Sequence, residues 1–177
     1  TITPDGLPGR LHSAHLLPVA VNGKNWAYLE PCHPAAQKDS FADFIADLEQ
    51  DFARRQSVTQ VDKGQDRAIL VSVSTESQLR AEESLAELAE LAGSDNILVL
   101  ETVLQRSRKI NPRLILGKGK LAEVMIRALQ LDANLLIFNQ ELNPSQLRSI
   151  TDYSEMRVID RTQLILDIFA HRALSRE

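Results

Sequence analysis

From Arg67 onward the chain alternates short apolar runs with longer amphipathic stretches, and this alternation constrains the possible folds more than any other feature. Ala68 to Ser74 (AILVSVS), Asn96 to Val103 (NILVLETV), Leu135 to Phe138 (LLIF) and Arg157 to Ile159 have strand length and carry many β-branched residues. Between them lie patterns of helical period. Glu76 to Ala92 repeats Leu85, Leu88, Ala89 and Ala92 and is expected to close at Gly93. Leu121, Val124, Met125, Ala128 and Leu129 form one stripe, predicting a helix from Lys120 to Leu131. Asn143-Pro144-Ser145-Gln146 combines an N-cap residue, a proline at the first helical position and a glutamine able to complete a capping box, opening a helix to Tyr153. Asp160 to Gln163 can form a second such box before a last helix. Strands that are apolar along their length and alternate with helices imply a parallel sheet buried on both faces. With right-handed crossovers the expectation is a small doubly wound α/β domain of about four strands over residues 66–177.

The preceding residues read differently. Residues 1–38 contain five of the seven prolines, so regular structure there is short. Within Leu16 to Leu29 (LLPVAVNGKNWAYL), Asn22-Gly23 separates two strand-like runs and predicts a β-hairpin, with Pro18 confining the first strand to an edge. Residues 39–65 hold an amphipathic helix and a polar connector. Phe41, Phe44, Ile45, Leu48 and Phe52 recur at helical spacing opposite Asp43, Asp47 and Asp51. Because that polar face is acidic, packing on a protein core is favoured over a membrane surface.

Charge is segregated. Val103 to Ala122 (VLQRSRKINPRLILGKGKLA) carries Arg106, Arg108, Lys109, Arg113, Lys118 and Lys120 and no acid, in a chain with 20 Lys and Arg against 24 Asp and Glu. Those six cations leave the remainder at about −10, so any anion-binding surface is local. The stretch ends in Gly117-Lys118-Gly119-Lys120 where a helix begins, and the first amides of a helix have no intrahelical acceptor and carry partial positive charge. RNA or phosphate binding by these eight residues is the functional expectation; a solvated charge run with a glycine turn is the competing one.

Several function classes are disfavoured. A pI near 5.6 argues against an indiscriminate nucleic-acid coat. No apolar run reaches the roughly 20 residues that span a bilayer, and no secretory pattern opens the chain, so a cytoplasmic location is expected. Single Cys32 cannot form an internal disulfide. His12 with His15, and Cys32 with His33, are too few ligands for a zinc site, so no metal is expected. The P-loop pattern GxxxxGK[ST] is absent, since Gly117 to Lys120 has the wrong spacing and no Ser or Thr follows its lysine. GxGxxG and GxSxG are absent too, and no catalytic residues are assigned.

Gly117-Lys118-Gly119-Lys120, Leu136 to Gln146 (LIFNQELNPSQ) and Val158 to Glu177 (VIDRTQLILDIFAHRALSRE) together resemble the N-terminal domain of HflX-type GTPases over residues 66–177. The resemblance implies an α/β domain that precedes a helical segment and a G domain, in a protein that binds the large ribosomal subunit and its rRNA and acts in ribosome splitting or rescue. It further implies that GTP and Mg2+ belong to the G domain, that no cofactor or catalytic residue lies in this chain, and that the partners include the parent's own helical and G domains. The start at Thr1 and the lack of a helix stop before Glu177 fit an excised piece, with residues 1–38 as the tail of an upstream module. Alternatives are a nucleotide bound at Gly117 to Lys120, making the domain a regulatory sensor, or an autoinhibitory domain packed on the G domain. Asp160 is expected to cap the last helix and orient Arg161, and Asp167 and Arg172 to stabilise that helix or its interface.

Overall fold

A computed structural model of the protein describes residues 1–36, 40–58, 65–107 and 110–174. The chain divides into two compact units, Thr1–Gln60 and Val61–Glu177.

In the first unit β1 (Ala14–Val21) and β2 (Lys24–Tyr28) form an antiparallel hairpin. Asn22 and Gly23 take φ of 52° and 73°, as the two-residue hairpin turn requires. The register shifts between Leu16 and Val21, the interval containing Pro18, which has no N–H to give to a ladder. Helix α1 (Phe41–Val58) follows, and the ring of Phe44 meets His15 of β1 edge-on at 5.6 Å. Phe44, Ile45, Leu48 and Phe52 are partly buried as the spacing predicts. Phe41, at the helix start, is 69% exposed and does not belong to that packed stripe. The helix also continues through residues read as connector, to Val58.

The second unit is the α/β domain: β3 (Arg67–Ser74), α2 (Gln78–Ser94), β4 (Leu98–Arg106), α3 (Lys118–Leu131), β5 (Leu135–Phe138), α4 (Pro144–Ser154), β6 (Arg157–Asp160) and α5 (Arg161–Leu174). The four strands are parallel in the order β4-β3-β5-β6. Alternation of side chains along each strand divides the core in two. Ile69, Val71, Leu136, Phe138 and Val158 pack with Leu121, Val124 and Ala128 of α3 and Ile150 of α4. Ala68, Leu70, Leu135, Ile137 and Ile159 pack with Leu85 and Leu88 of α2 and Leu164 and Ile168 of α5. The sheet is therefore doubly wound, as read from the sequence. All four residues of β5 are fully buried. Each such side chain contributes about 1.5–3 kcal/mol, which explains how so short a strand holds the sheet centre.

Helix ends depart from the sequence reading in two places. Gly93 does not close α2; the helix runs to Ser94, and Asn96 adopts φ of 59° instead. The box at Asn143 forms in full, with Gln146 N donating to Asn143 Oδ1 and Asn143 N to Gln146 Oε1. The box at Asp160 is only half made. Asp160 Oδ1 accepts from Gln163 N at 2.8 Å, but the Gln163 carboxamide donates to Asp167 instead.

Candidate nucleic-acid interface

In a parallel α/β sheet every strand-to-helix loop emerges at the same edge, so the β4-to-α3 connection shares that edge with the loops after β3, β5 and β6. Arg106 lies lower than a projecting loop would place it. It is the last residue of β4, in register with Ser74 of β3, and Ser107 N donates to the Ser74 carbonyl at 3.1 Å. Its side chain is exposed and has no carboxylate partner among the described residues. Arg108 and Lys109 lie outside the described residues.

The remainder of the connection is tightly built. Asn111 and Ile115 exchange two backbone hydrogen bonds, and Asn111 Oδ1 accepts from the amides of Arg113 and Leu114. Leu116 N then donates to the Leu114 carbonyl at 2.6 Å around Ile115, whose φ is 63°. An i to i+2 bond with positive φ marks the strained γ-turn, and a β-branched residue is the least suited to it. Burial holds it there: Leu114, Ile115 and Leu116 are 5%, 5% and 0% exposed and form part of the α3-side core. Arg113 is thus an exposed side chain on a loop whose next three residues are anchored in the interior.

Gly117 to Lys120 is the first turn of α3 and its cap. Gly117 is the N-cap with φ of −66°, and Lys118 and Gly119 are already helical. Neither glycine has positive φ, and a Cβ at either would meet nothing within 4 Å, so backbone strain does not demand glycine there. Lys118 is exposed without an acidic partner among the described residues, whereas Lys120 is paired with Glu123 at 2.9 Å. The turn lacks the hydroxyl residue and loop geometry of a magnesium-nucleotide cradle. Of the cations expected to act, the structure therefore presents Arg106, Arg113 and Lys118 without carboxylate partners among the described residues and engages Lys120.

A second feature of this edge is not predicted by any motif. Strand order reverses between β3 and β5, and the crevice outside that reversal is where open α/β sheets bind ligands. A cleft of about 260 Å3 lies there, walled by Ser72, Ser74, Thr75, Glu76, Ser84 and Asn139 among others. Ser72, 1% exposed, accepts from both Asn139 Nδ2 and Gln140 Nε2, and Asn139 Nδ2 also donates to Ser84. Gln140 Oε1 accepts from Val73 N, extending the ladder beyond the end of β5. Arg161 reaches in from α5, with Nη1 3.4 Å from Asn139 Oδ1 and Nη2 3.0 Å from Glu87. Arg161 is thus oriented by Asn139, Ser84 and Glu87 and not by Asp160, which caps α5 and also accepts from Leu142 N. A smaller adjoining recess of about 130 Å3 is lined by Ser74, Thr75, Arg106 and Ser107. The sequence signal for this crevice is faint: two serines interrupting AILVSVS, and Asn-Gln straight after LLIF.

The fold and this edge define a doubly wound α/β domain that carries a cationic strand-to-helix loop at its ligand edge. Residues 82–170 match the family described as GTP-binding GTPase N-terminal, and the chain belongs to that family. Its relatives include proteins named GTPase HflX. The one from Lacrimispora saccharolytica is 42% identical over 113 residues, covering 64% of this chain and 27% of the relative. That from Alkalihalophilus pseudofirmus is 46% identical over 96 residues (54% and 23%), and that from Escherichia coli 36% over 95 residues (54% and 22%). The chain thus spans about a quarter of the length of these relatives. Among the described residues no helix is long and apolar enough to cross a membrane.

Proposed function

We propose that this chain is the ribosome-contacting N-terminal module of an HflX-type GTPase, meeting rRNA of the large subunit through the β4-to-α3 connection. The observation that carries this reading is the set Arg106, Arg113 and Lys118, exposed and without carboxylate partners among the described residues, in a chain of net charge −4. Arginine suits the role because its planar fork pairs with phosphate and stacks on unpaired bases. The buried Leu114 to Leu116 segment fixes the base of the loop, so ordering Arg113 on RNA costs less entropy. Occupancy of one ribosomal subunit excludes the other, and the GTP state sets affinity through a G domain that holds GTP and Mg2+ with residues outside this chain. The protein would work in the cytoplasm, in splitting or rescue.

The test is co-sedimentation of the GTPase containing this domain with large subunits across a salt series. Replacing Arg106, Arg113 and Lys118 by Glu is expected to weaken binding and flatten the slope of log affinity against log salt by about 2, at about 0.7 for each phosphate no longer neutralised. An unchanged slope removes the loop from the interface.

One observation favours a second reading, a nucleotide phosphate at the start of α3: the open space beside Gly117 and Gly119 leaves the first-turn amides approachable. Calorimetry of the chain with ATP and with GTP separates the two. Heat that disappears in Lys118→Ala supports the nucleotide, and no heat with either leaves RNA.

A further inference from the structure

We propose that the crevice between β3 and β5 is a binding site for a small hydroxylated phosphate ester of sugar-monophosphate size; it shares Arg106 with the RNA-contacting loop but does not rest on that reading. Three observations converge on this class. The first is position, since the cleft lies at the reversal of strand order, and its walls come from β3, the turn after it, α2, the residues after β5 and Ile110 of the β4-to-α3 connection.

The second is chemistry. Most wall groups are hydrogen-bonding rather than charged: the hydroxyls of Ser74, Thr75 and Ser84 surround a floor set by Ser72, Asn139 and Gln140. The floor amides are already engaged, Asn139 with two serines and Gln140 with Ser72 and Val73 N, and Ser84 and Ser74 Oγ accept from Asn139 Nδ2 and Glu76 N, so the floor is rigid and the wall hydroxyls recognise a ligand by donating their O–H. Among the described residues Glu76 is the single carboxylate lining the cleft, and it can accept from a ligand hydroxyl. The adjoining recess shares Ser74 and Thr75 and adds the guanidinium of Arg106, which suits a phosphate. A ligand with a hydroxylated body and one phosphate therefore satisfies both halves, whereas a polyanion would place charge against Glu76.

The third is size. At about 260 Å3 the cleft falls below the roughly 300–1,000 Å3 of pockets for larger ligands, which excludes enclosure of a whole nucleoside triphosphate.

The experiment is a 1H–15N NMR titration of the 177-residue chain with ribose 5-phosphate, with ribose and inorganic phosphate as separate arms. The expected result is saturable shifts at the amides of Ser74, Thr75, Asn139 and Gln140, with ribose 5-phosphate binding at least about tenfold tighter than either half alone. Arg106→Gln is expected to weaken it about tenfold, while Arg113→Gln leaves it unchanged. Because sugar phosphate also occurs in RNA, a single-stranded oligoribonucleotide forms a fourth arm. Absence of saturable shifts at millimolar ester, equal loss in both arginine variants, or shifts produced by the oligonucleotide alone would overturn the proposal.

Discussion

The carboxamide of Gln146 donates from Nε2 to the carbonyl of Pro112 at 3.0 Å, across 34 residues of sequence, while its Oε1 accepts from Asn143 N. One side chain therefore completes the cap of α4 and tethers the loop that displays Arg113. Gln146→Ala loses both functions. A cost of about 1–2 kcal/mol is expected from the missing cap and loop bonds. Urea denaturation measures the stability, and faster amide exchange at residues 111–116 reports the released loop. Normal protection there would show that the tether is not what holds it.

Ile115 tests the strain in the loop. Ile115→Ala removes buried methyl groups without relieving the positive φ, and about 2–4 kcal/mol of destabilisation is expected. Glycine removes even more side chain but restores conformational freedom at this φ. The expected order is thus unusual: Ile115→Gly is at least as stable as Ile115→Ala. Thermal melts of the two variants decide it, and the ordinary order would mean that the turn is unstrained.

The two glycines of α3 are expected to respond with opposite signs. Gly119 is inside the first turn with open space around it, so Gly119→Ala raises stability by about 0.4–1 kcal/mol. Gly117 is the N-cap, where alanine is a poor choice, and Gly117→Ala lowers stability by about 0.5–1 kcal/mol. Urea denaturation of each variant reads the sign. If backbone amides of this turn bind phosphate, both substitutions also weaken RNA or nucleotide binding.

His171 and Asp95 join α5 to the end of α2 through a 2.8 Å contact from Nδ1 to Oδ1. That hydrogen bond, followed by the charge of Asp95, raises the His171 pKa above its ordinary 6.5. A pKa raised by folding contributes stability that is complete below the unfolded value and is lost as pH rises through the folded one. The protein is therefore expected to lose this increment from near pH 6.5 upward. NMR titration of the His171 ring checks the shift, and Asp95→Asn is expected to return it toward the ordinary value.

What can be read from the sequence is local. Strand runs, helix stripes, the Asn22-Gly23 turn and the Asn143 cap each rest on interactions within a few residues, and all four appear in the structure. The apolar run fades after Val103, which by itself places Arg106 in a loop. As the edge strand of the sheet, however, β4 carries exposed polar residues and continues three residues further. The Ser72, Ser84, Asn139 and Arg161 network is illegible for another reason. Its members lie on three elements and the loop after β5, and they meet only because β5 inserts beside β3, an ordering that no single strand encodes.

β6 passes into α5 with no residue between Asp160 and Arg161. A joint without slack transmits torque. Turning α5 would wrench Asp160 from the Leu142 amide and draw Arg161 away from Asn139, so this helix can serve as a lever whose fulcrum sits at the sheet's ligand edge.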